Sequence, residues 1–233
     1  MTDLISPSDM TTADMAALGF LLLGWLVFGF LVEHPPRSLP SVSALMTAYR
    51  REWMRQFVTR QPRIFDASVM DSLRQGTSFL ASATMIAIGG GVALIGNTER
   101  LLGLAEDLTL ASAPAAVLEA KIIVILLFLT NAFLKFLWSH RLFGYCAIVM
   151  AAVPNETDDP SAFHRAGQAA QINISAARSF NRGLRAVYFA LAALAWILGP
   201  LALTMATAVT LAVLWRREFA SVSRRVLMDG TPK

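Results

Sequence analysis

Residues 15–32 read MAALGFLLLGWLVFGFLV, eighteen positions without a charge. At 1.5 Å per residue a helix over them is about 27 Å long, close to one hydrocarbon thickness of a bilayer. The run is therefore expected to cross a membrane. Ahead of it stand Asp3, Asp9 and Asp14 with no Lys or Arg. That polarity is wrong for a cleaved signal peptide, so the helix is expected to be retained. Its end is set by Glu33 and His34 followed by Pro35 and Pro36, which remove backbone donors and impose an extended turn.

The rest of the chain shares this character. Of its 233 residues 55% are apolar and only 15% charged, and the mean hydropathy is +0.54. Such a composition excludes a disordered tail, a collagen-like fibre and a disulfide scaffold. Cys146 is the only cysteine, which allows no intrachain disulfide and no zinc site built from cysteines. The net charge of +4 comes from basic residues lying beside the apolar runs. Their placement favours an anionic membrane surface over nucleic acid as partner.

Three more apolar runs lie at about 76–96, 119–138 and 186–215, giving an expected all-α membrane domain over 1–233 with four hydrophobic segments. The second run sets Ala83, Ala87 and Gly91 at i, i+4 and i+8, a small-residue stripe suited to close helix packing. The third carries Lys135, and its helical pattern continues to Pro154, so this helix is expected to protrude from the bilayer. The fourth is interrupted at Gly199-Pro200. A single kinked crossing is the favoured reading there. The alternative is a re-entrant hairpin, whose arms within the run would reach only about 18 and 21 Å.

Seven arginines lie between the first two runs, at Arg37, Arg50, Arg51, Arg55, Arg60, Arg63 and Arg74, whereas the N-terminal tail has none and 97–117 only Arg100. The bias places 33–75 in the cytoplasm and the N-terminus outside, in what is expected to be a bacterial inner membrane. A single fourth crossing would then leave the basic C-terminal tail outside, against the same tendency. Residues 41–75 and 139–185 are expected to form a cytoplasmic helical layer. Within it Val42, Leu45, Met46, Tyr49, Trp53 and Phe57 follow helical spacing, while Arg50, Arg51 and Arg55 avoid that stripe. Such a helix either lies in the headgroup layer or packs on other helices of the chain. Asp159-Pro160 supplies an N-cap and a first-position proline, so a helix is expected to start there and form a hairpin with the end of the third span. A short outer helix is expected over 100–117.

Three segments carry a family resemblance: WMRQFVTRQPRIFDASVMDSLRQGTSFLASATMIAIGG within 49–90, NAFLKFLWSHRLFGYCAIVMAAVP from Asn131, and FNRGLRAVYFALAALAWILGP from Phe180. Over about 18–217 the chain resembles the family of bacterial and plant membrane proteins known as domain of unknown function 599. It departs from the family's pattern at His140 and Gly144, which makes those two poor choices for a shared function. The resemblance implies a multi-span helical protein and brings no reaction, substrate or cofactor.

Lys135 has Asn131 and Ser139 one turn to either side, and an amine within a span is a functional hypothesis. Its plainer reading is a lysine snorkelling beside Trp138 and Arg141. Arg178, Arg182 and Arg185 recur at helical spacing, with Asp66 and Asp71 at a similar depth. Arg–Asp pairing between those helices is one expectation and anionic lipid contact, shared with Arg50, Arg51 and Arg55, the other. No catalytic, metal or cofactor residues are assigned: His34, His140 and His164 lack ligand spacing, and neither H-E-x-x-H nor G-x-S-x-G occurs. The leading functional expectation is an interaction or structural protein, a homo-oligomer or accessory subunit of a membrane complex. The runner-up is a small oligomeric transporter or channel for an ion or anionic solute, using Lys135, Asn131 and the Gly199-Pro200 break. A lipid-directed membrane enzyme comes third.

Overall fold

The computed structural model describes residues 10–97 and 115–229, and among them every regular element is a helix. The short helix expected over 100–117 lies almost wholly outside the described residues.

α1 (Thr12–Glu33) opens on a reciprocal cap: the Thr11 hydroxyl accepts the Asp14 N–H at 3.1 Å, and the Asp14 carboxylate accepts the Thr11 N–H at 3.3 Å. Two donors that the helix leaves unpaired are thereby satisfied. α2 (Val42–Thr59) is capped by Ser41, whose hydroxyl accepts the Ala44 N–H at 3.1 Å and donates to the Val32 carbonyl at 2.8 Å. One small side chain thus closes α1 and opens α2. α3 (Ile64–Ile95), α4 (Ala115–Ala151) and α5 (Pro160–Leu194) follow, each about 48 to 56 Å long and so longer than a bilayer core. α5 starts where its sequence indicates, with Asp159 accepting the Ser161 N–H at 2.7 Å. α1, α3 and α4 are long and apolar enough to cross a membrane.

α4 and α5 pack antiparallel along their length. Phe128 stacks on Phe189 with centroids 6.2 Å apart, the Ser139 hydroxyl donates to the Ala176 carbonyl at 2.8 Å, and the Cys146 thiol to that of Ala169 at 3.3 Å. The approach is close at Gly183, where an added Cβ would lie 2.7 Å from the Phe136 ring. Gly183→Val should therefore lower stability by about 1–3 kcal/mol through overpacking, seen as a lower melting temperature. Gly167→Ala is the control, because nothing lies within 4 Å of its Cβ position.

α3 packs on another face of α4. Its buried positions Met70, Thr77 and Thr84 recur every seven residues, and Gly91 continues the row against Leu126. Seven-residue spacing keeps one seam of a long helix on its neighbour. Ala83 and Ala87 lie off that seam and are exposed, so of the expected stripe only Gly91 meets another helix. At the start of α3, Arg63 reaches the turn that follows α4 and donates to the Val153 and Pro154 carbonyls, each at 2.8 Å.

The expectation of one kinked helix over 186–215 is overturned. α5 ends in a 3-10 turn (Ala195–Leu198), Gly199 adopts φ 111°, and Pro200 opens a new helix, α6 (Pro200–Phe219), that runs back beside α5 and α1. Gly199 is needed there because its φ lies in a region that side chains disfavour. The reversal is fixed at one end by Trp196 against Asp14 and at the other by Arg217 against the Tyr188 hydroxyl. The returning arm is the whole of α6, about 30 Å, so the limit set by arms confined to 186–215 does not apply. α7 (Val222–Asp229) follows, and Arg224 donates to the Pro40 carbonyl at 2.8 Å.

α1 defines two ends of the bundle. Between its Asp14 and Glu33 ends lies one apolar core, including Leu21, Phe28, Phe189, Trp196 and Leu203. Beyond the Glu33 end α2 and the far halves of α3, α4 and α5 enclose a second, with Met54, Val58, Met70, Phe143 and Met150. α2 runs antiparallel along α5, with Ser43 beside Asn181 and Arg50 beside Asn173. Its inner face is Met54, Phe57 and Val58, and Tyr49 and Met46 are exposed. The expected stripe is therefore rotated, and the helix packs on its own chain.

Candidate functional site

Charged side chains gather where the two cores meet. Glu33, the last residue of α1, faces α5: its Oε1 accepts from Arg182 Nε at 2.8 Å and from Arg185 at 2.6 Å, and its Oε2 from the second Arg182 nitrogen. Arginine suits this task because its planar fork matches a carboxylate. Cross-helix pairing of these arginines with Asp66 and Asp71 is overturned. Asp66 accepts from Arg60 and, at 2.7 Å, from Trp53 Nε1, while Asp71 accepts from Gln75 at 2.7 Å. The reason is topological: α3 lies against α4, away from the arginine-bearing face of α5.

Two cavities flank the Glu33–Arg185 pair. One, about 250 Å³, lies between α2, α5 and the end of α6, with Arg50, Arg178, Arg185, Glu33 and Glu218 on its walls. Ser43 shapes it, donating its N–H to Glu218 at 3.1 Å and its hydroxyl to the same carboxylate at 3.0 Å, and accepting from Asn181 at 3.2 Å. Arg50 donates to Asn173 Oδ1, and burial holds it below the ordinary guanidinium pKa. It stays charged, since arginine does not deprotonate in proteins. Arg178 is exposed at the mouth and has no partner among the described residues.

The second cavity, about 280 Å³, lies between α1, α4 and α5 and is lined by Lys135, Asn131, Arg182, Arg185, Glu33 and the Trp25–Gly29 stretch. Together the walls carry five basic side chains, Arg50, Lys135, Arg178, Arg182 and Arg185, against two carboxylates, Glu33 and Glu218. Three positive charges remain in excess. Such a site attracts anions and offers them several fixed donors.

The structure thus brings Asn131 and Lys135 together with Arg182 and Arg185, and Arg50 with Arg178. Ser139 turns the other way, buried against α5. Arg51 and Arg55 are exposed, Arg55 beside Glu52 at 3.5 Å. Glu33, Ser43 and Glu218 were not singled out by the sequence reading. The available signal for Glu33 was its place as the acid that closes the first apolar run, just ahead of seven arginines.

A separate polar cluster ties the Asp14 end. Asp14, almost fully buried, accepts from the Thr11 hydroxyl at 2.5 Å and from Trp196 Nε1 at 2.7 Å, with Lys121 Nζ 4.0 Å away. Among the described residues no group of three or more His, Cys, Asp or Glu side chains is placed to hold a metal ion.

Fold and site define an all-helical protein with three helices of membrane-crossing length and apolarity and a basic site at one end of them. The chain belongs to the family described as Protein of unknown function, DUF599, whose model matches residues 16–223. No curated protein and no solved structure matches it.

Proposed function

We propose that the protein is inserted in a cytoplasmic membrane with its Glu33 end inward and binds a small anion in the α2–α5–α6 chamber, as a subunit of an oligomeric carrier or channel. The observation that carries this reading is the convergence of Arg50, Arg178 and Arg185 on one chamber whose two carboxylates leave them in excess. The reversal at Gly199 supports the orientation. It returns Arg216, Arg217, Arg224 and Arg225 to the end that also bears the arginine-rich 33–75 segment, which removes the conflict with the positive-inside tendency.

Self-association would supply walls that a single chain lacks. Only 6% of the most apolar window of α3 is buried, and its Phe79, Met85 and Ile86 are uncovered. A second reading, an interaction subunit without a solute of its own, rests on that face. The two differ in their response to anions. Titration of the purified protein with inorganic phosphate and sulfate should raise its melting temperature, and Arg178→Ala should weaken that response about tenfold, the loss of one charge-assisted hydrogen bond. A wild-type protein indifferent to both anions, yet of defined oligomeric mass, would favour the interaction subunit.

A further inference from the structure

The cavity between α1, α4 and α5 is built differently from the chamber beside it. At its Glu33 level it presents Lys135, Arg182 and Arg185 against the single carboxylate of Glu33. That carboxylate is already taken up by the two arginines, whereas Lys135 has no hydrogen-bond or ion-pair partner among the described residues. At the edge of a span such an amine keeps its charge by reaching the interface, where it is free to meet an anion.

The wall then changes character along α1. From Glu33 back to Gly29 and Trp25 the helix rises about 6 and 12 Å, and the lining becomes Gly29, Leu26 and Trp25. Leu26 is 58% exposed although it lines the cavity, so the groove opens sideways onto the apolar surface of the bundle. Nothing lies within 4 Å of a Cβ placed at Gly29, which leaves bare backbone as the groove floor. A soluble anion uses only the charged end of such a groove. A molecule with a phosphate at one end and a hydrocarbon chain at the other uses both.

We propose that this groove is a specific site for an anionic glycerophospholipid, its phosphate held by Lys135 and Arg182 and the start of one acyl chain laid over Gly29 beside Leu26. Basic pockets between membrane helices at the cytoplasmic side are known to take such headgroups. The inference rests on the membrane insertion proposed above, and it concerns a different cavity from the solute chamber.

The test uses the full chain, delipidated in detergent, with bound lipid measured by native mass spectrometry. Phosphatidylglycerol should be retained at one molecule per chain, and phosphatidylcholine at least tenfold more weakly. Lys135→Ala should weaken retention of phosphatidylglycerol about tenfold. Gly29→Leu should abolish it by filling the floor, while the melting temperature holds, because nothing lies within 4 Å of the Cβ position. Equal retention of the two lipids, or full retention in Gly29→Leu, would overturn the lipid site. Binding of inorganic phosphate that Lys135→Ala removes and Gly29→Leu leaves intact would assign the groove to a free anion instead. Failure of the chamber reading is separate, since it is scored by Arg178→Ala, a residue outside this groove.

Discussion

Asp14→Ala is expected to cost about 3–5 kcal/mol, the range for removing one partner of a buried ion pair, and to loosen the end of the bundle where the chain reverses. The side chain holds three parts of the molecule at once. It completes the cap of α1 through Thr11, accepts the indole N–H of Trp196 at 2.7 Å and faces Lys121 Nζ at 4.0 Å. Lys121 Nζ also lies 5.7 Å from the centroid of the Trp196 ring. Without the carboxylate the amine and the indole N–H both lose the acceptor they have among the described residues, and that desolvation dominates the loss. The expected readout is a lower melting temperature with faster hydrogen exchange in the first turns of α6, whose start depends on Trp196. Asp14→Asn keeps an acceptor for the indole and should lose less. The double variant Asp14→Leu with Lys121→Met should recover much of the stability, because an apolar pair of similar volume leaves no buried charge. A double variant as unstable as Asp14→Ala would mean that the cap and the Trp196 bond, and not the charge, govern this end.

The contrast between the two ends of the chain's fourth run explains which features could be read from sequence. Charge-free length marked the three helices long and apolar enough to cross a membrane, because a hydrocarbon layer imposes the same requirement on every crossing helix. Asp159-Pro160 identified the start of α5 through local chemistry alone. A kink and a reversal at Gly199-Pro200, by contrast, share one local signature. They differ in the φ of Gly199 and in a hydrogen bond between residues 182 positions apart. α2 was misread by a small rotation for a related reason: Arg50 looks like a solvent-facing residue until Asn173 appears 123 positions away to receive it. Lys135, Arg182 and Arg185 were visible as basic residues at the ends of apolar runs. Their shared carboxylate was not, since Glu33 served equally well as a helix stop, and its partners lie 149 and 152 positions on.

Glu33→Ala should destabilise the junction between the two cores by about 3–5 kcal/mol, because it strips the partner from two guanidinium groups together. The two arginines will not suffer alike. The Arg185 side chain, only 8% exposed, regains little solvent in place of the carboxylate, whereas Arg182, at 43%, regains more. Glu33→Gln is the more informative change. It retains one acceptor oxygen but removes the negative charge, so the excess around both cavities rises by one and the two guanidinium groups become available to an incoming anion. Affinity for inorganic phosphate should therefore increase as intrinsic stability falls. Linkage makes this measurable: a ligand at one hundred times its dissociation constant adds about 2.7 kcal/mol to a folded state it alone binds. Thermal unfolding of Glu33→Gln should thus be much more phosphate-dependent than that of the wild type, with Arg185→Gln in the same background cancelling the gain. A phosphate response unchanged by Glu33→Gln would show that the carboxylate does not compete with the anion, and would reduce the Glu33–Arg182–Arg185 cluster to a clamp between α1 and α5.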